Sequence, residues 1–145
     1  DLHLSLRRQR QMFIRDRPKF NYLIEGALEL LEYLKPKYKL FILTNGFKNV
    51  QANKLNNSKI NSYFSQGFDS ASVGVKKPNP IIFQYALKNS NSKSKESLMI
   101  GDSFEADIMG ALSVGMQAIH YANFGEKKHD MCLIINNLNT LKDIL

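Results

Sequence analysis

The run Leu40-Phe41-Ile42-Leu43 is apolar at every position, too short for a stable helix, and closed by Thr44-Asn45-Gly46. A strand with one wet face would alternate polar and apolar residues, so a continuous run marks a strand covered on both faces, as in a parallel sheet. Before it, Ala27-Leu28-Glu29-Leu30-Leu31-Glu32-Tyr33-Leu34 has helical periodicity between Gly26 and Pro36. The alternation then repeats. Helices are predicted near Phe47 to Leu55, from Pro80 to Leu87, from Phe104 to Val114 and over about Leu138 to Leu145. Strands are predicted around Gly67 to Ser70 and at Ser97 to Ile100, Gln117 to Tyr121 and Met131 to Ile135. Strands alternating with helices give right-handed crossovers and an α/β fold with helices on both faces of a parallel sheet. The polar tract from Asn89 to Lys95 reads as a solvated loop.

A chain of 145 residues, 43% hydrophobic, can bury one core, and one domain is expected. Cys132 is the single cysteine; set in Met131-Cys132-Leu133-Ile134, it reads as a small core residue rather than a metal ligand or redox group. No apolar run reaches membrane-span length and no signal peptide opens the chain, so the expectation is a soluble protein of a reducing, cytoplasmic compartment with no membrane partner. The net charge of +7 is unevenly spread. Arg7, Arg8, Arg10, Arg15, Arg17 and Lys19 crowd the first segment, while the remaining lysines are scattered without interleaved aromatics. That pattern favours a solvated or ligand-facing helix over a nucleic-acid surface, and no nucleic-acid partner is expected. Leu2, Leu4, Leu6, Met12, Phe13 and Ile14 suggest that this segment is a helix ended by Pro18. The chain opens on Asp1 rather than methionine, which hints at further sequence upstream.

In parallel sheets ligands bind beyond the carboxyl ends of the strands. Thr44, Asn45 and Gly46 supply a hydroxyl, an amide and a flexible backbone at one such end, suited to phosphate oxygens, although a capped Asn-Gly turn would look the same. At the next loaded end, Ile100-Gly101-Asp102-Ser103 with Asp107 places two carboxylates near a helix start. Such a pair suits magnesium, a hard cation that takes oxygen ligands and keeps several waters; helix capping by Asp102 or Ser103 is the ordinary alternative. Lys76 and Lys77 precede Pro78-Asn79-Pro80, a rigid helix entry that could hold one lysine toward the strand tips as a point charge for phosphate.

These segments, Leu43-Thr44-Asn45-Gly46, Val73 to Phe83 and Met99 to Ile108 with Gly110-Ala111 and Gly115-Met116, resemble in order the second to fourth motifs of the haloacid dehalogenase superfamily, over about residues 20 to 122. Leu23 to Phe47 and Glu96 to Ala122 are most similar to its bacterial pyrimidine and noncanonical pyrimidine nucleotidases. The resemblance implies a Rossmann-like sheet and magnesium-dependent hydrolysis of a phosphorylated small molecule, such as a nucleoside monophosphate, through an aspartyl-phosphate. By position it makes Thr44, Lys77 and Asp102 catalytic. Thr44, Asn45, Gly46 and Lys77 bind phosphate, Asp102 holds the metal, and Asp107 supports the metal shell directly or through water. Other chemistries of the superfamily, phosphomutase or dehalogenase, and a non-catalytic phosphate- or nucleotide-binding module are the alternatives.

The superfamily's nucleophile lies in an Asp-x-Asp motif at the tip of an apolar strand preceding all of these segments. Asp1-Leu2-His3-Leu4-Ser5 is rejected as that motif, because nothing precedes it and an arginine-rich stretch follows. Residues 1–18 are therefore expected to be the end of a helical cap, and 19–145 a core lacking its central first strand. The intact protein is expected to be longer, its missing N-terminal segment acting as the partner that completes the site, and the 145-residue chain alone is expected to be inactive.

Overall fold

The computed structural model of the chain describes residues 3–6, 26–46, 61–122 and 128–145. Strands β1 (His3–Leu6), β2 (Lys39–Thr44), β3 (Gln66–Asp69), β4 (Ser97–Gly101), β5 (Gln117–Tyr121) and β6 (Leu133–Ile135) form one six-stranded sheet in the order β3-β2-β1-β4-β5-β6. Every neighbouring pair is parallel. The helices are α1 (Ala27–Leu34), α2 (Ser70–Val73), α3 (Pro80–Asn89), α4 (Gly110–Ser113) and α5 (Leu141–Ile144), with 3-10 turns at Asn61–Tyr63, Ser94–Glu96 and Leu138–Thr140 and a π-helical turn at Phe104–Met109.

The apolar runs are explained by two cores. Successive strand residues point to opposite faces, so Leu40, Leu98, Ile100 and Ile119 join Leu30, Leu31 and Leu34 of α1 and Leu141 of α5 on one side. Phe41, Leu43, Met99 and Ala118 meet Ile82 and Phe83 of α3 with Ile108 and Ala111 on the other. Both faces being covered, no position of β4 is wet. Asn79 caps α3 by accepting the Ile81 N–H at 2.9 Å, and Pro80 fills the first turn, where a missing N–H costs nothing.

The predicted strands and helices recur with shifted ends. β6 is limited to Leu133–Ile135, and the helix predicted near Phe47 to Leu55 lies outside the described residues. The short helix α2 stands where the third strand was expected to run on to Ser70. Asp69 ends that strand by accepting the Ser72 N–H at 2.8 Å, a capping bond that favours helix over ladder. The helix predicted over Phe104 to Val114 is split. Ile108 N–H reaches back five residues to the Ser103 carbonyl at 3.2 Å, producing the π turn, and regular α geometry resumes at Gly110. Gly110 lies under the Phe83 ring, which leaves no room for a Cβ. The predicted Asn89 to Lys95 loop contains the last residue of α3 and part of the Ser94–Glu96 turn.

One expectation is overturned. The centre of the sheet was expected to be empty and residues 1–18 to be a helical cap remnant, yet His3–Leu6 is a strand filling that centre, with Ser5 in register with Phe41 of β2 and Met99 of β4. The reason is that unpaired backbone groups are costly in a core: two facing strand edges with free N–H and C=O groups recruit any extended segment that can satisfy both. The period-two spacing of Leu2, Leu4 and Leu6 carried that signal, which the arginine-rich sequence after it outweighed. Of the rest of that segment, residues 7–18 lie outside the described residues.

Candidate active site

The parallel strands bring their carboxyl ends to one rim. Thr44 pairs in register with Asp69, and Gly101 with His120. Lys77 lies in the segment before α3 with its side chain withdrawn from solvent, whereas Lys76 is exposed. Of the pair, Lys77 is the one turned inward. Lys77 Nζ donates to the Leu43 carbonyl at 3.1 Å and to Asp107 Oδ1 at 2.5 Å. Asn45 fixes the lysine main chain from both sides: its Oδ1 accepts the Lys77 N–H at 2.7 Å and its Nδ2 donates to the Lys77 carbonyl at 3.2 Å. One side-chain amide thus substitutes for a strand partner and holds the loop across the end of β2.

Asp107 and Lys77 are both fully buried at their side chains. Burying a charge is costly unless it is paired and hydrogen-bonded. Asp107 meets that condition, because Oδ1 takes the ammonium while Oδ2 accepts the Ser103 N–H at 3.1 Å. Gly101 is required beside it, since a Cβ there would collide with the Asp107 carboxylate. Ser103 also caps the turn by accepting the Ala106 N–H at 3.1 Å. At the end of β2, the buried Thr44 accepts the Gly46 N–H through Oγ1 at 3.1 Å, and the Gly46 carbonyl accepts from Ser70 Oγ at 3.4 Å.

Asp102 differs from Asp107 in being half-buried at the strand tip. Its carbonyl lies 3.0 Å from Nε2 of His120, a residue 1% exposed at the end of β5. His120 Nδ1 is 2.9 Å from His129 Nε2, and the Phe104 ring centroid is 4.4 Å from that of His129. The sequence reading assigned these histidines no role. The signal was the position of His120 at a strand end beside Gly101-Asp102; its approach to His129 had none.

Hydrogen bonds thus join Asn45, Lys77 and Asp107 between the ends of β2 and β4, Thr44 and Gly46 bond to each other beside them, and Asp102 stands at the tip of β4. Among the described residues no group of three His, Cys, Asp or Glu side chains could hold a metal. Magnesium does not require one, being bound through one or two carboxylates with waters and substrate phosphate. The half-buried Asp102 carboxylate fits that donor chemistry, while both oxygens of Asp107 already serve Lys77 and Ser103. An apolar cavity of about 40 Å³, lined by Phe41, Phe68, Phe83 and Met116 among others, lies under the sheet and includes none of these residues. No Asp-x-Asp pair occurs in the sequence, and β1, His-Leu-Ser-Leu, contributes no carboxylate to the centre of the rim. Cys132, expected in the core, is half-buried and packs against the second core.

A family model described as haloacid dehalogenase-like hydrolase matches residues 6–121. The pyrimidine 5'-nucleotidase YjjG of Escherichia coli is 37% identical over 64% of this chain and 42% of its own length. The glyceraldehyde 3-phosphate phosphatase of Pyrococcus abyssi is 41% identical over 71% of this chain and 44% of its own. The chain thus spans less than half the length of either. Among solved structures, a HAD phosphatase from Thermococcus onnurineus superposes with a TM-score of 0.80 at 33% identity, covering 84% of this chain and 57% of that one. The HAD-hydrolase YfnB of Bacillus subtilis, bound to magnesium, superposes at 0.79 and 29% identity, covering 86% of this chain and 56% of its own. Among the described residues no helix is long and apolar enough to cross a membrane.

Proposed function

This chain belongs to the haloacid dehalogenase-like hydrolases, and from that premise we propose that the protein containing it is a magnesium-dependent phosphomonoester hydrolase of the cytoplasm acting on a nucleoside 5'-monophosphate. The observation that carries the reading is the buried Lys77–Asp107 pair at 2.5 Å, placed across the end of β2 by the Asn45 clamp. A desolvated ion pair is a weak source of net stability, so its presence at the ligand-binding rim fits a chemical task better than a structural one.

In this reading the Thr44 hydroxyl and the Asn45–Gly46 backbone hold a phosphoryl oxygen. Lys77 offers positive charge to the phosphate and to the attacking carboxylate. Asp102 holds the cation, with Asp107 orienting Lys77 and the Ser103 amide behind it. Magnesium, when bound, neutralises charge gathering on the phosphoryl oxygens. The nucleophilic aspartate and the acid that protonates the leaving oxygen are assigned to a part of the protein beyond these 145 residues, because the sequence contains no Asp-x-Asp pair. The product of the first half-reaction is then an aspartyl-phosphate, cleared by water.

The likeness to enzymes named as pyrimidine 5'-nucleotidases favours a nucleotide substrate, while the likeness to glyceraldehyde 3-phosphate phosphatases favours a small sugar phosphate as the second reading. A panel of nucleoside monophosphates and triose phosphates, assayed with the full-length protein in magnesium and in EDTA, decides between them. Release of phosphate from nucleotides only with magnesium, abolished by Asp102→Asn, is the expected result. Phosphate binding without hydrolysis would instead favour a binding module, and native turnover by the purified 16.6 kDa chain would defeat the assignment of the nucleophile elsewhere.

A further inference from the structure

Two histidines far apart in role from the phosphate site converge behind it. His120 is 1% exposed, and its two ring nitrogens face the Asp102 carbonyl at 3.0 Å and His129 Nε2 at 2.9 Å. His129 in turn lies 3.2 Å through Nδ1 from the Met131 main-chain N–H. The rings are stacked at 22° with centroids 5.1 Å apart, and Phe104 covers them, its centroid 6.2 Å from His120.

The main-chain amide decides the direction of the whole series, because it can only donate. His129 Nδ1 must accept from Met131, so its proton sits on Nε2 and is donated to His120 Nδ1. His120 Nδ1 is then an acceptor, so its own proton sits on Nε2 and is donated to the Asp102 carbonyl. Each bond dictates the next, and only two neutral Nε2–H rings satisfy all three.

We propose that His120 and His129 are positioning residues: a one-way hydrogen-bond chain from Met131 N–H through both rings to the Asp102 carbonyl locks the strand tip that carries the metal-site carboxylate. The proposal rests on the reading of Asp102 as the metal ligand. The register of β4 with β5 ends at Gly101 and His120, one residue before Asp102. The His120 side chain adds a contact to the carbonyl of that next residue, and the loop preceding β6 supplies its far anchor. A ligand held to within about half an ångström needs such support from groups behind it.

Long-range proton–nitrogen correlation spectra of the imidazoles at pH 8, where an ordinary histidine is neutral, test the chain directly. Both rings are expected as Nε2–H tautomers; an Nδ1–H tautomer on either ring overturns the proposal. Manganese binding, followed by the loss of its free EPR signal, tests the consequence. His129→Ala and His120→Phe are each expected to raise the manganese Kd by about tenfold or more, and His120→Gln, which keeps a donor toward Asp102, to restore most of it. Equal affinity in His129→Ala and wild type overturns the positioning role, and this half-buried position supplies that answer even if His120→Phe fails to fold. If Asp102→Asn binds manganese as wild type does, the functional reading fails instead, and the tautomer spectrum alone judges the chain.

Discussion

Asp102 and Asp107 stand on one short segment after β4, yet the structure treats them oppositely. Asp107 is fully buried, with one oxygen on Lys77 and the other on the Ser103 amide. Asp102 is half-buried, and a histidine side chain reaches its main-chain carbonyl. The difference teaches that two carboxylates close in sequence can sit in unlike surroundings: the one withdrawn from water is matched to a buried cation and an amide, while the other keeps part of its surface at the strand tip.

The sharpest way to break this comparison is to remove one charge from each side. Lys77→Met leaves Asp107 buried without its cation and is expected to cost about 3–5 kcal/mol in urea unfolding, while Asp102→Asn costs under about 1 kcal/mol and abolishes magnesium-dependent activity of the full-length protein. Equal destabilisation by the two would erase the distinction. Gly101→Ala forces a methyl group against the Asp107 carboxylate and is expected to cost about 1–3 kcal/mol, read as a lowered Tm. Asn45→Ala removes both bonds to the Lys77 main chain, with an expected loss of about 1–3 kcal/mol and a raised KM for the full-length protein, because the loop carrying Lys77 is no longer clamped. The smallest effect lies away from the rim. Burial pushes the Cys132 thiol up from its ordinary range, opposed by a hydrogen bond to the His120 backbone, so less thiolate is present near neutrality. Iodoacetamide at pH 8 should alkylate it more slowly in the folded chain than in urea, and equal rates would place it at the surface.

Much of the fold was legible because buried parallel strands declare themselves locally: Leu40 to Leu43 and Leu98 to Ile100 are apolar at every position, and each strand end carries a change to polar residues. Thr44, Asn45, Lys77, Asp102 and Asp107 could be picked out for the same reason, being residues of the right type just beyond those ends or at the entry to a helix. The π turn was not legible, since it follows from Asp107 folding back on Ser103 and from Gly110 fitting under Phe83, a contact between segments 27 residues apart (110 − 83).

By itself, then, the sequence determined the alternating elements, the rim of strand ends and the residue types along it, because propensity, periodicity and turn chemistry act over a few neighbours. Only the tertiary structure decided that Lys77 rather than Lys76 turns inward, that Asp107 is bound to it while Asp102 is left at the mouth, and that His120 meets His129. It also put His3–Leu6 in the centre of the sheet, against the local reading of a helix. Those outcomes depend on which backbone groups and charges burial leaves in need of partners, and that is settled by the packing of distant segments, not by neighbours along the chain.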